Sequence, residues 1–371
     1  MRFIKKIRWA GAVIATVFSL LPFSASAQDE LPEAAAEADS VAVLDRKVSK
    51  LEKIVSKLPN ISGFVQFQYS WVEDESTFQI RRARVTLKGK IYKDFADYCI
   101  MPDFAGSVKL LDAYVRITPF RQLNLQAGSF RPSFTLENVF YGATSMEAID
   151  YPQVVKKMTT LGDISGVSGG GRDIGLQLYG GFFNKRGFNT LEYRIGVFNG
   201  AGISAKDTNK SKDIAAMLRV NPVKNLALVG SLYYGEWSPA TASGGKTVYY
   251  DRHRWSAGFL YDDKKFFARG EYIWGMTGGI KGYEGNLKSE GAYVMAGVWF
   301  LKHTLAPLVR VEYYAENIRT RKETAQPFYT VGVDYRPFKY LRFQVNYTRQ
   351  TFTDDAVKSR NQIHVMLTGM F

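Results

Sequence analysis

The residues best placed to do chemistry form one short basic run, Arg81-Arg82-Ala83-Arg84, followed by Lys88 and Lys90. Guanidinium forks match the oxygens of carboxylates and phosphates, so the chemistry in view is the binding of anions. Arg116, Arg194 and Arg219 stand singly in later segments, and Arg131, Lys156 and Lys157 fall within one long irregular stretch. Covalent catalysis has little to work with. His253, His303 and His364 lie far apart, and neither a GxSxG nor an HExxH motif occurs. Gly169-Gly170-Gly171 lacks the strand–turn–helix setting of a phosphate cradle, and Cys99 is the single thiol, so no intramolecular disulfide can form. No metal-ligand cluster or cofactor motif is visible, and the expectation is a protein that is not an enzyme.

The elements that position these cations begin with an export signal. Arg2, Lys5, Lys6 and Arg8 precede the apolar run Trp9 to Leu21, and Ser24-Ala25-Ser26-Ala27 supplies a small-residue cleavage site. Residues 1–27 are therefore expected to be removed after Ala27. The apolar run is too short for a membrane span, and no later stretch supports a transmembrane helix. Of the formal charge of +14, +12 falls in residues 61–371. Such an excess suits nucleic acid, an anionic membrane or small anions, and export removes the first of these.

Residues 28–60 read as a helix. Val41, Leu44, Val48, Leu51, Val55 and Leu58 repeat at three and four, and Pro59-Asn60 ends the pattern. A short periplasmic coiled coil and an amphipathic helix lying on the base of the following domain both fit. Valine at a with leucine at d favours two strands if the helix pairs with copies of itself.

From Ile61 onward the period is two. Val65, Phe67, Tyr69 and Trp71 alternate with Gln66, Gln68 and Ser70, and Ala83, Val85, Leu87 and Ile91 with Arg82, Arg84, Thr86, Lys88 and Lys90. Leu111 to Ile117, Tyr329 to Tyr335 and Leu341 to Tyr347 repeat the pattern, and the chain ends Ile363, Val365, Leu367, Gly369, Phe371 on one face. Strands of about ten residues with one apolar and one charged face are the mark of a transmembrane barrel. A soluble sandwich also alternates, but here aromatics gather at the ends of the apolar faces, as membrane interfaces require. The turn Pro119-Phe120-Arg121-Gln122-Leu123 recurs at Pro222 and Pro337, and further tight turns are expected at 92–94, 184–189, 262–265 and 302–306. Seven tight turns with a free strand at each end give 16 strands. The expected fold is all-β: a transmembrane antiparallel barrel over residues 61–371, with longer loops on the opposite rim, the longest from Arg131 to Arg172.

Alternation places Arg82, Arg84, Lys88, Lys90, Arg116, Arg194, Arg219, Arg254, Arg269, Arg310, Arg336 and Arg342 in the lumen. Asp112, Glu192, Asp213, Asp262, Glu271, Glu312 and Asp334 are the acids read onto the same faces, leaving positive charge in excess. Charges on the lipid side would cost roughly 2–4 kcal/mol each near the midplane, so they must turn inward. Arg269 is expected to pair with Glu271, and Arg310 with Glu312. Arg82 and Arg84 have no acid on their own strand and are expected to meet permeating ions. Arg81 alternates outward, so only a bulge or a strand end could bring it to the pore.

Phe78 to Lys90, Lys109 to Phe120, Leu125 to Leu136, Arg172-Asp173-Ile174-Gly175 and Gly196 to Gly200 resemble the phosphate-selective porin O and P family. The resemblance covers about residues 61–371. It implies a trimeric 16-stranded porin of the Gram-negative outer membrane, embedded in lipid, whose third long loop narrows the pore. It also implies that the paired arginines, here Arg81 and Arg82, sit at the constriction and bind small anions such as phosphate. Trimers conflict with the two-stranded preference of residues 28–60. The long loop departs from the family pattern: its main basic pair is Lys156 and Lys157, and it carries Glu137, Glu147, Asp150 and Asp163. Two other readings stay open, a structural barrel or adhesin and an uptake channel for a larger anion such as polyphosphate or an acidic oligosaccharide.

Overall fold

Alternating side chains commit the chain to strands, and charge on one face commits those strands to closing around water. In the computed structural model the described residues are 43–50, 58–185, 187–203, 207, 211–238 and 248–371. The proposed signal peptide and half of the heptad positions, Val41, Leu51 and Val55, lie outside them. Residues 43–50 are helical with every side chain exposed, and they belong to a separate unit, residues 1–58.

Among the described residues sixteen strands form a closed antiparallel barrel in chain order. They run β1 (Asn60–Val72), β2 (Glu75–Tyr92), β3 (Ala96–Asp103), β4 (Lys109–Phe120), β5 (Leu123–Phe130), β6 (Asp173–Lys185), β7 (Phe188–Phe198) and β8 (Asp213–Val223). The second half is β9 (Leu226–Trp237), β10 (Tyr250–Asp262), β11 (Phe266–Gly278), β12 (Asn286–Val298), β13 (Leu305–Ala315), β14 (Ala325–Phe338), β15 (Leu341–Gln350) and β16 (Arg360–Met370). β16 pairs with β1 to close the ring, and Phe371 N donates to Gly63 O at 3.0 Å across that seam. Closure leaves no free sheet edge, which a membrane requires.

The seven tight turns fall where the sequence puts them. Exposed aromatics line that rim: Tyr92, Phe95, Phe120, Phe183, Phe338 and Phe371. The other rim is not uniformly long, because β1 and β2 are joined by only Glu73 and Asp74.

The burial pattern is inverted relative to a soluble protein. Arg252, Arg269 and Arg342 are at most 1% exposed, while Val309, Val311 and Val331 are more than half exposed on the outer face. The apolar core lies inside the barrel and is built around the 131–172 loop, which carries two short helices, α2 (Leu136–Phe140) and α3 (Gln153–Lys157) after the 43–50 helix. Phe134, Met146, Tyr151, Val154, Val155 and Met158 of the loop pack against Phe198, Tyr233, Ile273, Tyr293 and Tyr314 of the wall. Gly128, just before the loop, has φ +131, and a Cβ there would lie 2.1 Å from Ala113 O, so this glycine lets β5 press against β4 where the loop departs.

Candidate functional site: the lumen and its loop

The loop is tied to the wall from β9 to β15 by buried ion pairs and backbone contacts. Arg269 on β11 binds Glu137 at 2.6 Å and Glu147 at 2.8 Å, both from the loop. Arg254 on β10 holds Asp163 at 2.6 Å and also donates to Met158 O. Arg310 pairs with Glu312 at 2.6 Å and donates to Asp150 O, while Glu312 accepts from Gln153 N at the start of α3. Arg342 pairs with Asp334 at 2.6 Å and donates to Thr144 O. The expected Arg269–Glu271 pair does not form. Glu271 accepts from Leu136 N instead, since Arg269 faces two loop carboxylates that strand alternation alone does not reveal.

The wall from β16 through β1 to β7 is different. Between it and the loop lies an open cavity of about 560 Å³. Arg84, Lys88, Arg131, Arg172 and Arg194 line it, and among the described residues Asp112 is the one acid on its lining. Asp112 is itself bound by Arg172, with Nε 3.1 Å away.

Arg81 reaches the lumen. β1 and β2 slip by one residue between Gln66 and Phe67, where Gln66 faces Arg82 and Phe67 faces Ile80, so Arg81 is the bulged residue. Adjacent residues 81 and 82 can then both turn inward. Arg81 binds Asp150 of the loop at 2.5 Å, and Lys156 lies 3.6 Å from the same carboxylate. Burial pushes the Asp150 carboxyl up, but Arg81 and Lys156 beside it hold it well below the usual carboxylate range.

Arg82 donates to Gln66 Oε1 at 2.7 Å and has no ion pair among the described residues. Arg84 corrects the sequence expectation: Asp103 on the neighbouring β3 binds it at 2.7 Å, so the acid missing from its own strand comes from the next one. Arg116 pairs with Asp97 at 2.9 Å, again from β3. Both acids sit on Ala96–Asp103, whose inward face mixes Asp97, Cys99, Met101 and Asp103 and so hides its alternation. Lys90 pairs with Asp94 at the tight-turn rim and is exposed, away from the constriction. Arg219 lies 3.9 Å from Glu192 and donates to Asn221 Oδ1. Arg131 caps α2, donating to Asn138 O and Tyr141 O at 2.6 Å each. Lys157 has no ion pair among the described residues and ends α3.

Sequence reading missed Arg172 as a lining residue and missed the aromatic partners of Arg194. The Arg194 guanidinium lies over the rings of Phe140 on the loop and Tyr179 on β6, at 5.7 and 5.2 Å. The structure also brings together one serine–histidine–aspartate set that spacing conceals. Ser70 Oγ is 3.0 Å from His364 Nδ1, but His364 Nε2 is 3.9 Å from Asp150, too long for the hydrogen bond that would orient a base.

A closed barrel of sixteen strands with a long loop packed into its lumen has the fold of a porin. Residues 62–226 match the model of the family described as phosphate-selective porin O and P, which shows over that stretch the family resemblance drawn from the sequence. No curated protein matches the chain. Among solved structures, an anion-selective porin from Comamonas acidovorans is similar, with TM-score 0.66, 13% identity, and coverage of 84% of this chain and 99% of that one. OmpT of Vibrio cholerae, an outer membrane protein in a trimer form, has TM-score 0.60 and 12% identity over 84% of this chain and 99% of its own. The outer membrane channel DcaP of Acinetobacter baumannii has TM-score 0.59 and 14% identity over 84% and 97%.

Proposed function

We propose that this protein is an outer-membrane porin of a Gram-negative bacterium that passes anions by diffusion past the 131–172 loop. The observation that carries this reading is the cavity lining, where, among the described residues, Arg84, Lys88, Arg131, Arg172 and Arg194 stand against the single acid Asp112. Rings of basic side chains select anions in a pore, and low-dielectric walls screen them less than bulk water does. The family match supports passage of anions, phosphate among them. The lumen is read as a conduit and not as a catalytic site. The chain works as a homotrimer in lipid, a reading supported by the trimer form of the Vibrio neighbour. Residues 28–60 are read as a periplasmic segment that aids assembly, following a signal peptide of residues 1–27. Reversal potentials of single channels in a KCl gradient test the function. A potential on the chloride side is expected, and a potential on the potassium side overturns anion selectivity.

A further inference from the structure

The open cavity is larger and more apolar than an inorganic ion needs. Its 560 Å³ lies within the range of about 300–1,000 Å³ typical of sites for organic ligands, which combine apolar walls with a few placed polar groups. Phe64, Met101, Phe130, Val139, Met370 and Phe371 supply the apolar part of the lining. The donors that could ring a bare phosphate are mostly engaged. Arg84 is held by Asp103, Arg172 by Asp112, and Arg131 by two loop carbonyls.

Arg194 is not engaged in that way. Among the described residues it makes no ion pair or hydrogen bond, and its contacts are the two ring faces of Phe140 and Tyr179. Arg219 lies over the same Phe140 ring at 5.0 Å, so this loop residue contacts two cations. A guanidinium held over aromatic rings by cation–π attraction still has N–H groups free for a planar oxyanion. Those N–H groups belong to a residue on the cavity lining.

We infer that the preferred solute is an organic anion, a carboxylate on a flat apolar body, and that Arg194 is the residue that selects its carboxylate. This inference rests on the anion-channel reading and narrows it. The apolar body displaces water from partly exposed apolar lining beside Phe140, such as Val139, while the carboxylate takes two N–H groups of Arg194 in the bidentate manner.

Block of the chloride current in the full-length protein, reconstituted in planar bilayers, tests the inference with benzoate, acetate and inorganic phosphate as probes. Benzoate is expected to half-block at a concentration about tenfold lower than either of the others, since acetate lacks the body and phosphate lacks the apolar contact. Arg194→Gln is expected to raise the half-blocking concentration of benzoate about tenfold and that of phosphate by a clearly smaller factor, since losing one lining charge weakens every anion but only the carboxylate loses its paired N–H groups. Arg194→Lys, which keeps the charge and loses the planar fork, is expected to resemble Arg194→Gln for benzoate. Phosphate blocking the native channel as well as benzoate does overturns the inference, whether or not the variants fold. Unchanged benzoate block in a variant of normal conductance overturns the role of Arg194. Cation selectivity of the native channel is a separate outcome and would instead overturn the parent reading.

Discussion

From β9 to β15 the inward arginines Arg252, Arg254, Arg269, Arg310 and Arg342 each meet a carboxylate and are at most 5% exposed, while Arg336 near the tight-turn rim also pairs, with Asp334, but stays partly exposed. From β16 through β1 to β7 most inward cations are partly exposed, buried Arg172 excepted, and Arg82, Lys88, Arg131 and Arg194 have no ion pair among the described residues. Both walls are strands of the same alternation and the same residue types, so strand chemistry does not separate them. The loop does. Three of its acids, Glu137, Glu147 and Asp163, face one wall, while toward the other it offers only Asp150, held by Arg81, and its backbone and small residues, Gly142 and Ala143, border the cavity. One wall anchors the loop, and on the function proposed above the other conducts.

The largest expected effect breaks the anchored wall. Removing one partner from a buried ion pair typically costs about 3–5 kcal/mol, because the remaining charge is left without compensation. Arg269→Leu strands two loop carboxylates at once, Glu137 and Glu147. The loop should leave its seat, single-channel conductance should rise severalfold, and trypsin should cut after Lys156 or Lys157. A variant that resists trypsin and conducts as the native protein does would show that the apolar core holds the loop without these pairs.

On the conducting wall, Lys88→Glu should do the opposite. Lys88 is exposed on the cavity lining and has no ion pair among the described residues, so its reversal should lower the chloride-to-potassium permeability ratio at unchanged thermal stability. Surface charges outside such pairs contribute little to stability, about 0–1 kcal/mol. A drop in the unfolding temperature without a change in selectivity would place Lys88 with the anchors.

A third, smaller effect concerns acid. Asp150 joins the loop to the conducting wall through Arg81. Burial alone would raise its carboxyl, but Arg81 and Lys156 hold it well below the ordinary carboxylate range. A depressed pKa in the folded state gives stability that is present above the unfolded value and lost as pH falls through the folded one. The contact should therefore survive through pH 4, near the unperturbed aspartate value of about 3.9. Conductance recorded from pH 7 to pH 4 should show no step that Asp150→Asn removes.

Much of this architecture was legible in the sequence because a barrel wall has a period of two and repeats its turns. Pro119, Pro222 and Pro337 each mark a tight turn, and the strands between carry clean apolar faces. Pairing was legible only within a strand. Arg310 and Glu312, two residues apart, do pair, whereas Arg84 and Asp103 or Arg269 and Glu137 meet across strands or across the lumen, where no local spacing reports them. The Arg81 bulge was recognisable as a need but not as a fact, since a one-residue slip between β1 and β2 depends on the register of both.

The finest test of the comparison moves one residue from engaged to free on the conducting wall. Asp103 accepts from Arg84 Nε at 2.7 Å and also from the backbone N–H groups of Ala83 and Ala105, at 3.0 and 3.2 Å. Asp103→Asn keeps a side-chain oxygen for those donors while removing its negative charge. Arg84 already lines the cavity, so its field would then reach the permeating ion with nothing beside it to cancel it. If the conducting wall selects by uncompensated charge, the chloride-to-potassium ratio should rise modestly, by less than Lys88→Glu lowers it, because Arg84 stays partly buried. Barrel stability should fall only slightly, since the backbone contacts persist and a neutral hydrogen bond contributes about 1 kcal/mol less than a charged one. An unchanged ratio in a stable Asp103→Asn channel would mean that the field at the cavity is set elsewhere, by Lys88, Arg131 and Arg194, and that Arg84 belongs with the anchored arginines despite its place on the other wall.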